Sequence, residues 1–141
     1  MGGKELFFVP ADGTFTGAHS LSSSVSLFFH TLSFSHNFNL NFGAPQGQQL
    51  VVGSYTGATR FQSVDHPGLD VSGDGIGCNT VTGSFEIKQT SYGAGGQLNA
   101  FWATFEQHCD GVFPALFAWT ANPAPPVIER LLREIRSIQL R

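Results

Sequence analysis

The segment FEQHCDG (105–111) brings together three side-chain types that enzymes use in catalysis. Glu106, His108 and Cys109 could supply a general acid or base, a proton carrier and a nucleophile. Neighbouring side chains of a strand point to opposite faces, so His108 is poorly placed to activate Cys109. Glu106 and His108 share a face, where the carboxylate either orients a catalytic histidine or forms an exposed ion pair. The segment therefore leaves a small hydrolase that uses Glu106 and His108 as one alternative, and no catalytic residue is assigned.

The segment DVSGDG (70–75) has the residue types of the first half of a calcium-binding loop. Asp70, Ser72 and Asp74 fall at positions 1, 3 and 5 of such a loop, and a glycine falls at position 6. Position 12 would be Val81, where the loop needs a bidentate glutamate. The same residues also suit a turn whose carboxylates accept hydrogen bonds from nearby backbone amides. We therefore treat Asp70, Ser72 and Asp74 as a candidate calcium site, with calcium as the one cofactor that the sequence suggests.

Aromatic side chains point to carbohydrate binding as a further hypothesis, because an exposed aromatic ring offers a large apolar surface to a ligand. Four of them could form a platform if they lie on one exposed face of a sheet: Tyr55, Tyr92, Trp102 and Trp119. Aromatic residues of sheet proteins more often belong to the core. Trp102, Glu106 and His108 form a candidate ligand-binding set.

The elements that position these residues follow from hydrophobic alternation, which is clearest in LFFHTLSFSHNFNLNF (27–42). The even positions carry mostly apolar residues, and the odd positions from 31 to 41 carry threonine, serine and asparagine. One unbroken strand would be unusual, because strands usually run about 3–10 residues. A hairpin with the three-residue loop 35–37 keeps the apolar residues on one face and places Phe34 opposite Phe38. The alternation therefore predicts a hairpin.

Two histidines lie on the apolar phase of this hairpin. His36 falls in the predicted loop, so we expect it on an exposed turn. His30 falls near the end of a strand, where we expect a partly buried, hydrogen-bonded residue. The hairpin therefore argues against a metal site that uses both imidazoles.

A second hairpin is predicted across the glycine-rich turn SYGAGGQ (91–97), and two registers remain open. If the two cysteines of the chain bond directly across the hairpin, Phe85 faces Trp102. If Phe85 shares a face with Phe105 instead, the cysteines face apart, and a disulfide needs a bulge. Gly83 is a natural place for that bulge.

Composition limits the fold class and the partners. The chain has 141 residues, with 17 Gly, 14 Phe and 12% charged residues, as expected of a single all-β domain. Residues 1–125 carry eight acidic and three basic side chains, so we expect no nucleic-acid partner. No apolar stretch reaches the length of about 18 residues that a transmembrane helix needs, so we expect no transmembrane segment.

Two cysteines, Cys78 and Cys109, permit a single disulfide. Two free buried thiols are the alternative. The start MGGKELFF has no apolar segment long enough for a signal peptide. We therefore expect any natural leader to be absent from this chain, and the argument for export depends on the cysteines.

The tail, residues 123–141, differs in character from the rest of the chain. Prolines at its start predict a stiff linker. Apolar residues then recur at helical spacing and predict an amphipathic helix: Ile128, Leu131, Leu132, Ile135 and Ile138. A helix of about 15 residues is marginal alone in water, so its apolar stripe must bury against its own sheet, another subunit or a membrane surface. Self-association through residues 127–140 would give a homo-oligomer.

Several motifs resemble those of a domain of bacterial exported proteins whose activity is uncharacterised. The resemblance covers residues 28–117 and rests on Gly-Cys-Asn at 77–79 and Phe-Glu-Gln-His-Cys at 105–109. It implies an exported β-sandwich with one disulfide, between Cys78 and Cys109, and no known activity. The tail departs from the pattern, since such domains usually continue into a final strand of the Gly-x-Ile-Arg kind.

The recurrence of short strands between turn residues predicts an all-β fold. We expect an antiparallel β-sandwich or flattened barrel over residues 1–122, followed by the linker and helix over residues 123–141. The leading functional hypothesis is a non-enzymatic, extracytoplasmic (secreted or periplasmic) binding or structural module with a polysaccharide or surface ligand. The alternatives are a carbohydrate-binding domain with or without calcium, a small hydrolase, and a helix-mediated self-assembling protein.

Overall fold

The computed structural model describes residues 5–6, 11–19, 23–109, 113–121 and 138–140. These residues form ten strands and no helix. In chain order the strands are β1 (Glu5–Leu6), β2 (Gly13–His19), β3 (Ser24–Thr31), β4 (Asn37–Gly43), β5 (Gly53–Thr59), β6 (Gly68–Gly73), β7 (Val81–Tyr92), β8 (Leu98–Cys109), β9 (Phe113–Ala121) and β10 (Ile138–Leu140). The predicted all-β class is confirmed.

The ten strands belong to one mixed sheet, in the order β1-β10-β9-β8-β7-β5-β6-β4-β3-β2. All neighbouring strands pair antiparallel except β5 and β6, which run parallel and meet at a single register pair, Thr59 with Gly68. The sheet therefore consists of two antiparallel groups joined at a short parallel seam. The seam departs from the wholly antiparallel pairing that the sequence predicts.

The sheet curls into a half-barrel. The ring of Phe42 on β4 lies 5.3 Å from the ring of Phe101 and 5.5 Å from the ring of Phe105, both on β8. Strands β4 and β8 have three strands between them, so a flat sheet would separate them by roughly 19 Å. The described strands thus share one curled sheet, which is closer to the flattened-barrel alternative than to two stacked sheets.

The concave side of the half-barrel holds the core. Alternate residues of β3, β4, β6, β7 and β8 point into it, and the fully buried side chains include Val25, Phe29, Phe42, Leu50, Leu69, Ile87 and Phe101. On β3 the buried phase is odd, because Val25, Leu27 and Phe29 are all buried while Phe28 is exposed. The convex side carries the opposite phase of the same five strands.

The predicted register of the first hairpin is wrong. Leu27 pairs with Leu40 and His30 with Asn37, so the connection spans residues 32–36 and not 35–37. The backbone N–H of Thr31 donates to the carbonyl of His36 at 3.0 Å and closes this longer loop. The register follows from burial, since it places the odd phase of β3 and the even phase of β4 together in the core.

The second hairpin adopts the register in which the phenylalanines share a face. Phe85 pairs with Phe105, and the bulges lie beyond Ile87, not at Gly83. Cys109 pairs with Val81 in this register, and a disulfide joins it to Cys78, just before β7, with the two Cα atoms 5.1 Å apart. Such a disulfide agrees with the predicted pairing. Because Cys78 precedes the strand, the bond needs no bulge.

The tail is described only at residues 138–140. Ile138 belongs to β10, which pairs with β9 and β1, so its assignment to the predicted helix is wrong. The remainder of the linker and helix, at 123–137, lies outside the described residues, and self-association through residues 127–140 stays a prediction. None of the described residues belongs to a helix of the length and apolarity needed to cross a membrane.

Candidate functional site

The convex side of β2, β3 and β4 carries aromatic rings between polar side chains. Phe28 and His30 point outward here because their neighbour Phe29 points into the core. Strand pairing sets each ring between a threonine of β2 and an asparagine of β4. The two cross-strand rows are Thr16–Phe28–Asn39 and Thr14–His30–Asn37, and we call these six residues the aromatic–amide face.

Two of the rings on or beside this face are exposed, and neighbouring rings lie close to one another. Phe28 is 37% exposed and Phe34, in the loop after β3, is 72% exposed. The imidazole of His30 stacks on the ring of Phe34, with centroids 4.5 Å apart and planes 8° apart. The ring of Phe28 lies 5.9 Å from the same imidazole. His30 is therefore partly buried as predicted, but it lies on the outer face and not in the core.

Polar side chains continue this face onto β6. Asn39 pairs with Ser72, and Asn41 pairs with Asp70, whose carbonyl accepts a hydrogen bond from the Asn41 side chain at 3.3 Å. The guanidinium Nε of Arg60 lies 3.6 Å from Oδ2 of Asp70. The convex side thus offers amides and hydroxyls over four adjacent strands, with one ion pair at its margin.

The candidate calcium residues occupy two different settings. Asp70 and Ser72 lie within β6, and Asp74 follows the strand with a positive φ of 52°. The carboxylate of Asp74 accepts the backbone N–H of Asn37 at 2.8 Å, and its other oxygen lies 2.6 Å from Nδ1 of His36. Asp74 therefore ties the β6 turn to the β3–β4 loop. Calcium binding stays a prediction, and among the described residues no group of three or more His, Cys, Asp or Glu could hold a metal ion.

Glu106 and His108 are brought together on the convex side of β8. Oε1 of Glu106 lies 2.8 Å from Nε2 of His108, and both side chains are partly exposed. Ser84 lies opposite Glu106, and Thr82 lies opposite His108. Cys109 has the opposite phase and is joined to Cys78, so it supplies no free thiol to this pair. The arrangement is a carboxylate–imidazole contact on an open strand surface.

The four predicted platform aromatics do not share a face. Tyr55 stacks on Phe85 in the core at 4.7 Å, and Tyr92 packs against the core as well. Trp102 lies half-buried on the convex side, in phase with Glu106 and His108. Trp119 pairs with Ala103 in the register of β8 and β9. The aromatic–amide face is not predicted from the sequence, because alternation does not show whether Phe28 or Phe29 is the buried residue of β3.

A cleft opens on the concave side, next to the turn between β7 and β8. Its volume is about 520 Å³, and it is lined by Gln49, Leu50, Val51, Val52, Thr90, Tyr92 and Gly96. Neither Glu106 nor His108 contributes to its wall. The cleft and the aromatic–amide face therefore lie on opposite sides of the sheet.

No family model, curated protein or solved structure matches the chain. The resemblance of residues 28–117 to a domain of bacterial exported proteins therefore stays a prediction. Functional conclusions rest on the geometry alone.

Proposed function

We propose that the protein is a non-enzymatic, extracytoplasmic binding module whose ligand is a neutral polysaccharide. The aromatic–amide face carries the proposal, because its two rows set the exposed ring of Phe28 and the partly buried imidazole of His30 each between a hydroxyl and an amide. A polysaccharide binds through two kinds of contact, packing on aromatic rings and hydrogen bonding. The apolar face of each sugar ring packs on an aromatic ring, and its hydroxyl groups bond to amides and hydroxyls.

The charge of the face favours a neutral ligand. Its six residues include no Asp, Glu, Lys or Arg, and the whole chain carries a net charge of −3 with histidine neutral. An acidic polysaccharide would find no Lys or Arg within the two rows and would be repelled by the net negative charge of the chain. A neutral polysaccharide is not repelled by the charge of the chain, and it can bond directly to the hydroxyl and amide groups of the face.

The backbone under the face favours rigid recognition. Phe28 and Asn39 lie on paired strands, and continuous pairing runs from Ser24 to His30 on β3. Side chains on paired strands give up less conformational freedom on binding than side chains of a mobile loop. An open sheet surface also suits a long polymer, which passes across it without entering a pocket.

The extracytoplasmic setting is supported by the disulfide between Cys78 and Cys109. Structural disulfides persist in oxidising compartments and are rare in the cytosol. Polysaccharides of cell surfaces and of the surroundings are found in the same compartments as such proteins.

Affinity electrophoresis in gels that contain neutral polysaccharides tests the proposal. We expect retardation by at least one polymer, and about tenfold weaker binding for Phe28→Ala. Asn39→Ala should weaken binding as well. Val64→Ala, which removes an exposed apolar side chain outside the face, is the matched control and should bind as the unaltered protein does. Retardation by none of the polymers, or equal loss in the control, would contradict the proposal.

The contact between Glu106 and His108 favours a hydrolase as the second candidate function. A carboxylate that orients an imidazole is one part of several catalytic arrangements. Hydrolysis of chromogenic esters or glycosides that disappears in Glu106→Gln and in His108→Asn, while polysaccharide binding persists, would support it. Activity that survives both substitutions would reject it.

A further inference from the structure

Residues 50–52 lie outside the strands, and tyrosine side chains hold their backbone in place. The hydroxyl of Tyr55 accepts the N–H of Val51 at 2.9 Å and donates to the carbonyl of Val51 at 3.0 Å. The hydroxyl of Tyr92 donates to the carbonyl of Leu50 at 3.5 Å. Tyr55 itself stacks on Phe85. The segment is therefore fixed by the core and not by strand pairing, which makes the cleft beside it a preformed feature.

The fixed segment presents apolar side chains to the solvent beside the cleft. Val51 is 51% exposed and Val52 is 60% exposed, and both line the cleft. Leu50, between them and the core, is fully buried. Covering exposed aliphatic surface is favourable because it removes apolar area from water. A ligand in the cleft would gain this energy without a change in the protein.

A buried hydroxyl in the wall of the cleft lacks a protein partner. Among the described residues, nothing forms a hydrogen bond with Oγ1 of Thr90, although this atom is buried. Thr90 pairs with the fully buried Phe101, which places it on the core side of the sheet. The atom is closed to solvent, so a ligand can bond to it only if the Thr90 side chain turns toward the cleft. The new hydrogen bond would then stabilise the complex, because a buried polar group without a partner is unfavourable.

We propose that this cleft is a second binding site, for a small, neutral and largely apolar molecule with one hydrogen-bonding group that pairs with Thr90. None of the described lining residues is Asp, Glu, Lys, Arg or His, so a charged ligand would lose its hydration without compensation from them. The volume of about 520 Å³ lies in the range of small-molecule sites. The site is independent of polysaccharide binding, since the aromatic–amide face lies on the convex side.

Three related probes test the ligand class: 4-propylphenol, propylbenzene and 4-propylbenzoate. They share an apolar body and carry a neutral hydroxyl, no polar group and a carboxylate respectively. Titration of the labelled protein, followed by amide chemical shifts, should show saturable shifts at Val51, Val52 and Thr90 with propylphenol. We expect propylbenzoate to bind at least about tenfold more weakly, because its charge must be desolvated.

Two variants test the role of individual groups. Thr90→Val keeps the shape of the side chain and removes the hydroxyl, so it should weaken propylphenol binding about threefold to tenfold and leave propylbenzene binding unchanged. Val52→Trp should fill the cleft and weaken both. Thr104→Val, on the convex side of β8, is the control and should change neither.

The outcomes separate this proposal from the polysaccharide proposal. Equal affinity for propylphenol and propylbenzoate, shifts confined to residues outside the cleft, or no saturable binding of any probe would each overturn the second site. Phe28→Ala should bind propylphenol normally, because Phe28 lies on the other side of the sheet. A loss of propylphenol binding in this variant would also count against the assignment.

Discussion

The side-chain amide of Gln107 pairs with the backbone of Val71 in the way that a neighbouring strand would. Its Oε1 accepts the N–H of Val71 at 2.8 Å, and its Nε2 donates to the carbonyl of Val71 at 2.9 Å. Gln107 is only 2% exposed. Because β5 meets β6 only at Thr59 and Gly68, Gln107 of β8 supplies the hydrogen bonds that β5 does not provide further along β6.

Replacement of Gln107 by leucine should destabilise the protein by about 2–4 kcal/mol. The variant keeps an apolar side chain of similar size but leaves the N–H and carbonyl of Val71 buried without these partners. Urea unfolding followed by circular dichroism measures the change. Gln89→Leu, at an exposed position on β7, should shift stability by less than about 0.5 kcal/mol. Similar midpoints for Gln107→Leu and the unaltered protein would show that the pairing contributes little.

Loss of the disulfide should lower the free energy of unfolding by about 3–4 kcal/mol. The bond joins residues 31 apart in sequence, and chain-entropy reasoning assigns this value to a loop of that size. The double variant Cys78→Ala/Cys109→Ala provides the measurement. Its urea midpoint should not respond to reductant, whereas reductant should lower the midpoint of the unaltered protein. If reductant also lowers the urea midpoint of the double variant, its effect on the unaltered protein does not come from reduction of the disulfide.

Alanine at position 83 should destabilise the β7–β8 hairpin by about 1–3 kcal/mol. A Cβ on Gly83 would lie 2.2 Å from the carbonyl oxygen of Glu106, and a backbone atom within paired strands cannot easily move away. Gly77→Ala is the matched control, since a Cβ there would lie 3.6 Å from the nearest side-chain atom. Thermal unfolding of the two variants should therefore separate them clearly. Equal melting temperatures would indicate that the hairpin relaxes around the added methyl group.

Replacement of Asp74 by alanine should cost about 1–2 kcal/mol, because it removes the acceptor for Asn37 and places alanine at a positive φ. Asp74→Asn should retain most of the stability, since asparagine keeps an oxygen acceptor and tolerates this backbone conformation. We expect the same losses in calcium and in EDTA. A loss seen only in calcium would instead assign Asp74 to a calcium site.

The sequence predicted the all-β class, whereas it left two registers open for β7 and β8, and packing decides between them. Phe85 and Phe105 can both be buried only if they face each other, so the requirement of a shared apolar face selects the register. The same logic applied to β3 failed. Phe28 and Phe29 are adjacent and equally apolar, so alternation alone cannot say which of the two is buried. Phe29 is the buried residue because its ring packs against the rings of Phe15 and Phe38, which lie on the neighbouring strands.

The two surfaces proposed as binding sites could not be predicted from the sequence, for different reasons. The aromatic–amide face follows directly once the buried phase of β3 is known, because Phe28 and His30 then point outward. The cleft has no comparable pattern in the sequence. It depends on Tyr55 and Tyr92 reaching backbone groups of Val51 and Leu50, and such contacts between a side chain and the backbone leave no periodic pattern in the sequence.

The exchange of strands around the parallel seam between β5 and β6 couples the folding of the two antiparallel groups. The chain leaves the first group after β4, adds β5 to the second, returns with β6 beside β4 and crosses again to β7. Neither group is therefore complete until the chain has visited both, so we expect a single cooperative unfolding transition without a half-folded intermediate. Because these pairings connect distant parts of the chain, the topology also favours slow folding.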